Sequence, residues 1–439
     1  MSAISSQKEL ILVNPCSSYR WIDWIQNTFT GNPLPHALLT LAGLTPPDYR
    51  IQFINKKYFW SKRDFPAGKL VAITCLTSAA LHAYRLADLF RAAGSTVVLG
   101  GPHVTALPDE ALRHADSVII GEAESVWPGV LSDFEAGILK KRYTGEPLDD
   151  FFSPVYKYYR RLDPVVLKKT GLHIDRGCKY HCEFCARISE KCRWVKMEQV
   201  LELARRIKQA PLPFFMKKAH VVFRSDNIFS SPKYAKELFR RLKALDITWS
   251  GNSSMDICFD EEALRLAAES GCRGFLMGFE TLRPEQFLKT SLPQVKSSRD
   301  YLTAVKNLHR HKIGVLGSFI MGFDEDRPSD FWRLLWFLVR SRMGHCYITM
   351  LTPFPGSKLF ERLKAENRIF SFNWTRYNFF TCVFKPRRMS VVSFYLLFYL
   401  TRLATLVFSL HNIIIYLVLL FSFRLAYEFS YDFMYRLFQ

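Results

Sequence analysis

Apolar runs and amphipathic stretches alternate along most of the chain. Residues 9–14 (Glu-Leu-Ile-Leu-Val-Asn) read as a short buried strand ending at Pro15, and a second apolar run at 69–74 precedes a helical stretch over about 78–93. Residues 96–99 and 117–120 read as further strands. The first runs into Gly100-Gly101-Pro102-His103 and the second into Gly121-Glu122-Ala123-Glu124, which opens the next helix. Strands alternating with helices predict a parallel, doubly wound sheet, whose ligand site lies beyond the carboxyl ends of the strands. From residue 171 a new alternation starts. Six strand-like runs, at 171–175, 219–223, 247–251, 274–278, 314–320 and 346–351, are separated by helical patterns at 196–209, 231–244, 260–270, 296–311, 328–341 and 356–366. Six such units predict a partial barrel, open on one side, with its site again at the carboxyl ends of the strands.

Between the two alternations, residues 146–170 carry Pro154 and Pro164 without a clear period and read as an extended connection. The predicted organisation is α/β: a doubly wound, Rossmann-like domain over 1–145, a linker over 146–170, a partial (βα)6 barrel over 171–388 and an apolar helical tail over 389–439. Within the tail, 403–423 is a 21-residue run without formal charge, bracketed by Arg402 and Arg424, with Tyr395, Tyr399, Tyr416 and Tyr427 placed as interface residues are. That length is adequate for a bilayer span, and an in-plane helix fits equally. The alternative is a pair of buried helices completing the barrel wall.

Composition adds a charge and a compartment. The 439 residues suffice for two domains, each with its own core. Ten cysteines without an even pattern, and no secretory signal, read as a chain of the reducing cytosol. Seven of them (Cys16, Cys75, Cys192, Cys258, Cys272, Cys346 and Cys382) are scattered and read as small core residues. The formal charge of +20 points to an anionic partner, nucleic acid or a membrane surface. Aromatics at 15% tip the balance toward an apolar substrate or a lipid surface.

The densest chemistry is Gly177-Cys178-Lys-Tyr-His-Cys182-Glu-Phe184-Cys185. Thiolates are the usual ligands of iron–sulfur clusters, and such short spacing lets one loop wrap a cubane while one iron stays open to another ligand. Zinc wants a fourth ligand; His181 inside the loop and Cys192 nearby keep a structural zinc knuckle as the alternative. Polar residues follow the predicted barrel strands: Arg224-Ser225-Asp226-Asn227, Asn252-Ser253-Ser254 and Gly278-Phe279-Glu280-Thr281. Asp226 reads equally as a helix N-cap. In the first sheet, Gly100 and Gly101 let backbone approach a ligand without a Cβ in the way, and Cys75 and Thr77 close another strand. His103 is either ligand-facing or a turn residue bonded to backbone.

The Cys-x3-Cys-x2-Cys spacing, with an aromatic just before the third cysteine, resembles the radical S-adenosylmethionine (SAM) superfamily. The resemblance implies a [4Fe-4S] cluster on Cys178, Cys182 and Cys185, with SAM chelated to the fourth iron and cleaved reductively to a 5′-deoxyadenosyl radical. It also implies SAM contacts from Asp226, Asn227, Ser253 and Glu280. Gly100 to Thr105, Pro108-Asp109-Glu110-Ala111 and Gly121 to Glu124 together resemble the cobalamin-binding domain that precedes many radical SAM domains, over roughly 8–145. That implies cobalamin contacts from Thr77, Gly100, Gly101, His103, Gly121 and Glu122. The Asp-x-His-x-x-Gly signature that supplies a cobalt ligand elsewhere is absent, so either cobalamin binds with its lower face free of a protein His or the cofactor has been lost.

Relatives in this branch act on hopanoids, membrane lipids and tetrapyrroles. The implied enzyme methylates an unactivated carbon of a hydrophobic, lipid-like substrate and draws electrons from a flavodoxin or ferredoxin. It would work in the cytoplasm or attached to the inner face of the cytoplasmic membrane through the tail. Cyclisation, rearrangement or C–C bond formation, with or without cobalamin, is the alternative within the family. A tRNA-modifying enzyme fits the charge alone, but the last fifty residues are apolar and aromatic where such enzymes carry a basic module. A membrane-attached sensor that binds a cofactor without catalysis is a third class.

Overall fold

The computed structural model describes residues 8–16, 34–55, 60–187, 191–212, 217–283, 297–343 and 345–408. Two six-stranded sheets organise them. The first comprises β1 (Lys8–Asn14), β2 (Tyr49–Asn55), β3 (Leu70–Thr74), β4 (Thr96–Gly100), β5 (Ser117–Gly121) and β6 (Arg142–Gly145) in the order β2-β1-β3-β4-β5-β6. Every pairing is parallel. Helices cover both faces. Ile11, Val13 and Val71 pack toward the helix Ala80–Ala92, whereas Leu10, Leu12 and Leu70 pack with Leu38 and Trp127 on the opposite side. Burial on both faces is why the inner strands read as unbroken apolar runs. The strand order reverses between β1 and β3, and in sheets of this type ligands bind beyond the carboxyl ends at such a reversal.

The second sheet runs β7 (Leu172–His173), β10 (His220–Arg224), β11 (Thr248–Asn252), β12 (Cys272–Glu280), β13 (Gly314–Met321) and β14 (His345–Met350), each parallel to its neighbour. β14 and β7 are the two edges of this sheet, so the barrel is open, as predicted. Its outer helices are amphipathic: Met197–Lys208 buries Val200, Leu203, Ala204 and Ile207, one stripe of a 3.6-residue period. Ser231, Asp260 and Ser357 cap three of these helices through side-chain oxygens.

Four expectations change. The run 171–175 is not one strand: β7 joins the barrel, while β8 (Asp175–Arg176) leaves it to pair antiparallel with β9 (Arg193–Trp194). The edge strands β2 and β6 of the first sheet were not expected from the hydrophobic pattern. The connection over 146–170 is not extended but folds into the helices Ser153–Tyr159 and Pro164–Thr170. The tail begins as the helix Val391–Phe408, whose Phe394 and Phe398 are buried and whose partner is the barrel helix Pro328–Ser341, with Phe331 and Phe394 6.2 Å apart. Most of the predicted run 403–423 lies outside the described residues, and among those described no helix is long and apolar enough to cross a membrane.

Candidate active site at the facing sheet ends

The cysteine loop is the arc between β8 and β9, laid across the barrel mouth and tied at several points. At its start the Gly177 N–H donates to Asp226 Oδ2 at 2.7 Å, and the Asp226 N–H donates in turn to Asp175 Oδ1 at 2.7 Å. Ser225 donates its hydroxyl to the same Asp175. Further on, Lys179 Nζ and Tyr180 Oη both reach Asp256 at 2.6 Å, in the turn after β11. At the far end the Leu359 N–H donates to Glu183 O at 2.9 Å, which docks the loop on the last barrel helix. Arg187 folds back to donate to the carbonyls of Cys178 and Tyr180. Gly177 is required by this path: its φ is +87°, and a Cβ would overlap the Lys191 carbonyl.

Cys178, Cys182 and Cys185 are all partly exposed on this loop. Burial pushes the Cys182 thiol up to about 11, with the nearby charges of Glu280, Cys185 and Cys178 adding to it. Burial also raises Cys185, against the pull of Arg187. The loop thus brings the thiols within electrostatic reach of one another. Among the described residues no three His, Cys, Asp or Glu side chains, these thiols included, are gathered as a metal-ion site. Three soft sulfur donors on one partly exposed loop fit an iron–sulfur cluster, whose cations would displace the thiol protons.

The other predicted SAM residues divide. Asn227 is buried and occupied: its Oδ1 accepts from the N–H groups of Phe229 (3.1 Å) and Ser254 (3.0 Å), and its Nδ2 donates to Ser254 Oγ at 2.9 Å. Ser253 is buried, with its hydroxyl on Ser254 O. Asp226 supports the loop. Glu280 differs from these. Its φ is +58°, its carboxylate lies against the bare Cα of Gly278, and burial alone pushes it up to about 7. Among the described residues no hydrogen bond to that carboxylate is found. It lines a cleft with Arg283, Phe319, Asp326 and Asp330. There Arg283 is bonded to Asp330, and Asp326 accepts from the N–H groups of Gly322 and Phe323.

In the first sheet most of the predicted cobalamin residues face inward. His103 is fully buried, with Nδ1 3.3 Å from Thr77 Oγ1 and Nε2 3.4 Å from Glu110 Oε1, and its ring packs on Trp374 at 5.2 Å. Thr77 is buried with it. Gly101 (φ +108°) does allow a close approach, but by the backbone of Cys75, 3.0 Å from where a Cβ would stand. The same holds for Gly121 against Gly145, while Gly100 sits over Ile119. Glu122 turns toward the barrel and pairs with Arg176 and Arg193. Near the β1–β3 switch point Leu76, two residues after β3, is 55% exposed. Sequence reasoning missed it, although its position at a strand end was a signal. An exposed apolar side chain near the switch point, with His103 buried, fits the apolar face of a corrin, and the partly exposed His82 has its Nδ1 3.2 Å from the Cys16 carbonyl just after β1. Arg176, Arg193, Asp175 and Asp256 were missed too; the first two flank the cysteine loop in sequence.

Known proteins resemble both parts of the chain. Residues 173–338 match the Radical SAM superfamily and residues 62–131 the B12 binding domain. The chain is 33% identical to the bacteriochlorophyllide d C-12(1)-methyltransferase of Chlorobaculum tepidum, over 88% of this chain and 84% of that one. It is 23% identical to the hopanoid C-2 methylase of Rhodopseudomonas palustris, over 76% and 65%. Among solved structures, the radical SAM methyltransferase TsrM from Kitasatospora setae superposes with a TM-score of 0.63 at 15% identity, over 82% of this chain and 75% of that one. That superposition extends the likeness of fold across both sheets.

Proposed function

The chain belongs to the radical SAM superfamily, in its cobalamin-dependent methyltransferase branch, and from that premise we propose that it methylates an unactivated carbon of a hydrophobic tetrapyrrole or polycyclic lipid. The carrying observation is an aromatic strip that joins the two sheets. Trp374 donates at 2.8 Å to Glu110, in the short helix Pro108–Leu112 after β4; Phe372, 6.3 Å from Trp374, and Phe379, which packs on Phe354 after β14 at 5.0 Å, are each about half exposed. Partly exposed aromatic surface on the segment that joins the two sheets would suit a rigid ring system. The named substrates of the relatives, a bacteriochlorophyllide and a hopanoid, support the same reading.

The enzyme uses a [4Fe-4S] cluster, SAM and cobalamin. When bound, the cluster with SAM supplies hydrogen abstraction from carbon and cobalamin supplies the methyl group. Cys178, Cys182 and Cys185 would hold the cluster, and the loop's bonds to Asp226 and Asp256 would fix where it sits. Glu280 would accept hydrogen bonds from SAM, which would explain a carboxylate held without partners among the described residues. Leu76 would lie against the corrin. Phe372 and Phe379 would exclude water from the reacting carbon and orient the ring. Within this reading the first sheet forms one domain and the barrel another. The +20 charge suits an acidic flavodoxin or ferredoxin as electron donor. Exposed Trp332, Trp336, Val392 and Leu396 on the two outer helices suit contact with the membrane in which such substrates dissolve.

The test is anaerobic reconstitution followed by incubation with methyl-labelled SAM and, separately, a chlorophyllide-type tetrapyrrole, a hopanoid and total tRNA. Label in the tetrapyrrole or the hopanoid is expected. SAM cleavage with label only in tRNA, or with an unmethylated cyclised product, would overturn the reading.

A further inference from the structure

The cysteine loop hangs from a two-residue stem in which Arg176 of β8 stands directly opposite Arg193 of β9. Like charges directly opposed across a strand pair destabilise it, and here both side chains are largely buried. The stem is held because a carboxylate from the other sheet lies between them. Glu122, immediately after β5 and 5% exposed, accepts from Arg176 Nη1 at 2.8 Å, from Arg193 Nη1 at 2.9 Å and from Arg193 Nη2. Arg176 Nη1 also reaches Glu124 Oε1 at 2.7 Å, and Arg193 Nη1 donates to Leu148 O at 2.7 Å. Phe151, fully buried, packs its ring 4.7 Å from one guanidinium carbon and 5.2 Å from the other. Two cations and two anions thus close a neutral, desolvated knot, and its opposite poles belong to different sheets. Burial would raise the Glu122 carboxyl, but the hydrogen bond from Arg193 and the charge of Arg176 leave it below the ordinary carboxylate range.

We propose that Glu122, Arg176 and Arg193 form a positioning clamp that sets the place of the cysteine loop relative to the end of the first sheet, and so the distance over which the methyl group is passed. The proposal rests on the two-cofactor reading above. Its physical core is that neither half is stable alone: pulling the first sheet away leaves two buried like charges facing each other at the foot of the loop. Displacement there is transmitted, because Gly177 follows Arg176 directly and packs on the carbonyl of Lys191, so Cys178 moves with the stem.

The test uses the full chain and the variants Arg193→Gln and Glu122→Gln, with Arg193→Lys and Glu122→Asp keeping the charge. Amide hydrogen exchange of the unloaded protein is read first. Protection over 172–194 is expected to fall about tenfold or more in the glutamine variants, with β1, β3 and β4 unchanged, and about threefold in the charge-keeping pair. In reconstituted Arg193→Gln, SAM cleavage is expected within about threefold of wild type while methylated product per SAM cleaved falls about tenfold. Unchanged exchange and unchanged coupling in the variants that fold overturn the clamp, as does loss of cobalamin from Glu122→Gln with exchange unchanged. If the glutamine variants do not fold, wild-type exchange and coupling in the charge-keeping pair overturn it. If wild type itself neither cleaves SAM nor retains cobalamin, the proposed function fails, and the exchange result still judges the clamp.

Discussion

Replacing Glu280 by glutamine removes a charge that the fold holds at a double cost. A glutamate at φ +58° sits in the left-handed region, about 1 kcal/mol above a relaxed residue. Burial also moves its carboxyl from 4.5 to about 7. A shift of that size is about 3 kcal/mol of stability, at roughly 1.4 kcal/mol per tenfold change in proton affinity. Because the folded value lies above the unfolded one, the folded chain binds the proton more tightly. The contribution is therefore whole below pH 4.5 and is lost as pH rises through about 7. Glutamine cannot ionise, so the variant escapes that loss. At pH 5 it should be less stable than wild type by about 1 kcal/mol, for an amide in a site shaped to a carboxyl. At pH 9 it should be the more stable of the two. Asp175 and Asp326, both also pushed up to about 7 by burial, are present in both proteins and cancel in the comparison. For a domain of this size a swing of about 3 kcal/mol is roughly 6–12 °C in the unfolding midpoint. Circular-dichroism melts of the unloaded proteins at pH 5, 7 and 9 under reductant would read it. A difference between variant and wild type that stays flat across those pH values would refute the reasoning, since it would mean that the carboxyl is solvated or already paired.

Three further outcomes are expected. Cys182→Ala should abolish SAM cleavage and leave cobalamin retention intact; residual cleavage with an intact cluster would remove this loop from the site. Gly101→Ala places a Cβ 3.0 Å from the Cys75 backbone at φ +108° and should destabilise the first sheet by about 3 kcal/mol, with loss of cobalamin but not of cluster content, read by melting and by metal analysis. His103→Ala should lower stability by about 2–4 kcal/mol through the contacts it leaves empty, while the optical spectrum of bound cobalamin stays unchanged; a changed cobalt spectrum would make His103 a ligand after all.

The architecture was legible where burial was complete. β3, with Leu70 to Ile73 buried, shows in the sequence as a plain apolar run, and so do β4 and β5. The strands that were missed are the two edges of the same sheet, β2 and β6, where exposed and buried residues mix and the run is short or interrupted by Arg and Gln. The two helices of 146–170 were hidden by their prolines. Pro154 and Pro164 stand in the first turn, where a proline starts a helix instead of breaking one. In the candidate site, the cysteine loop was legible because the spacing of three thiols on one loop is a local pattern. Direction was not legible. His103 and Thr77 occupy the predicted strand ends, yet the short helix Pro102–Ala106 begins at once and carries His103 inward onto Thr77 and Glu110. Which way a side chain leaves a strand end depends on elements distant in sequence, Trp374 among them.

The buried charges of this chain are unevenly placed, and their placement argues for function. Ion pairs taken out of water often stabilise a fold no better than apolar residues of the same volume. Even so, Glu122, Arg176 and Arg193 are buried at the junction of the two sheets, Asp175 lies directly beneath the cysteine loop, and Glu280 stands at the end of the strand facing it. Asp175 is one bond removed from the loop, through Asp226 to Gly177, and the arginine pair is its stem. Packing alone would be served as well by leucine at any of these positions. If the loop holds a cluster on its three thiols as proposed, directional, charge-assisted bonds would fix its place better than apolar contacts, which set no definite length. One group of these charges lies at the foot of the cysteine loop, and a second, Asp326 and Asp330, lies in the cleft beside Glu280.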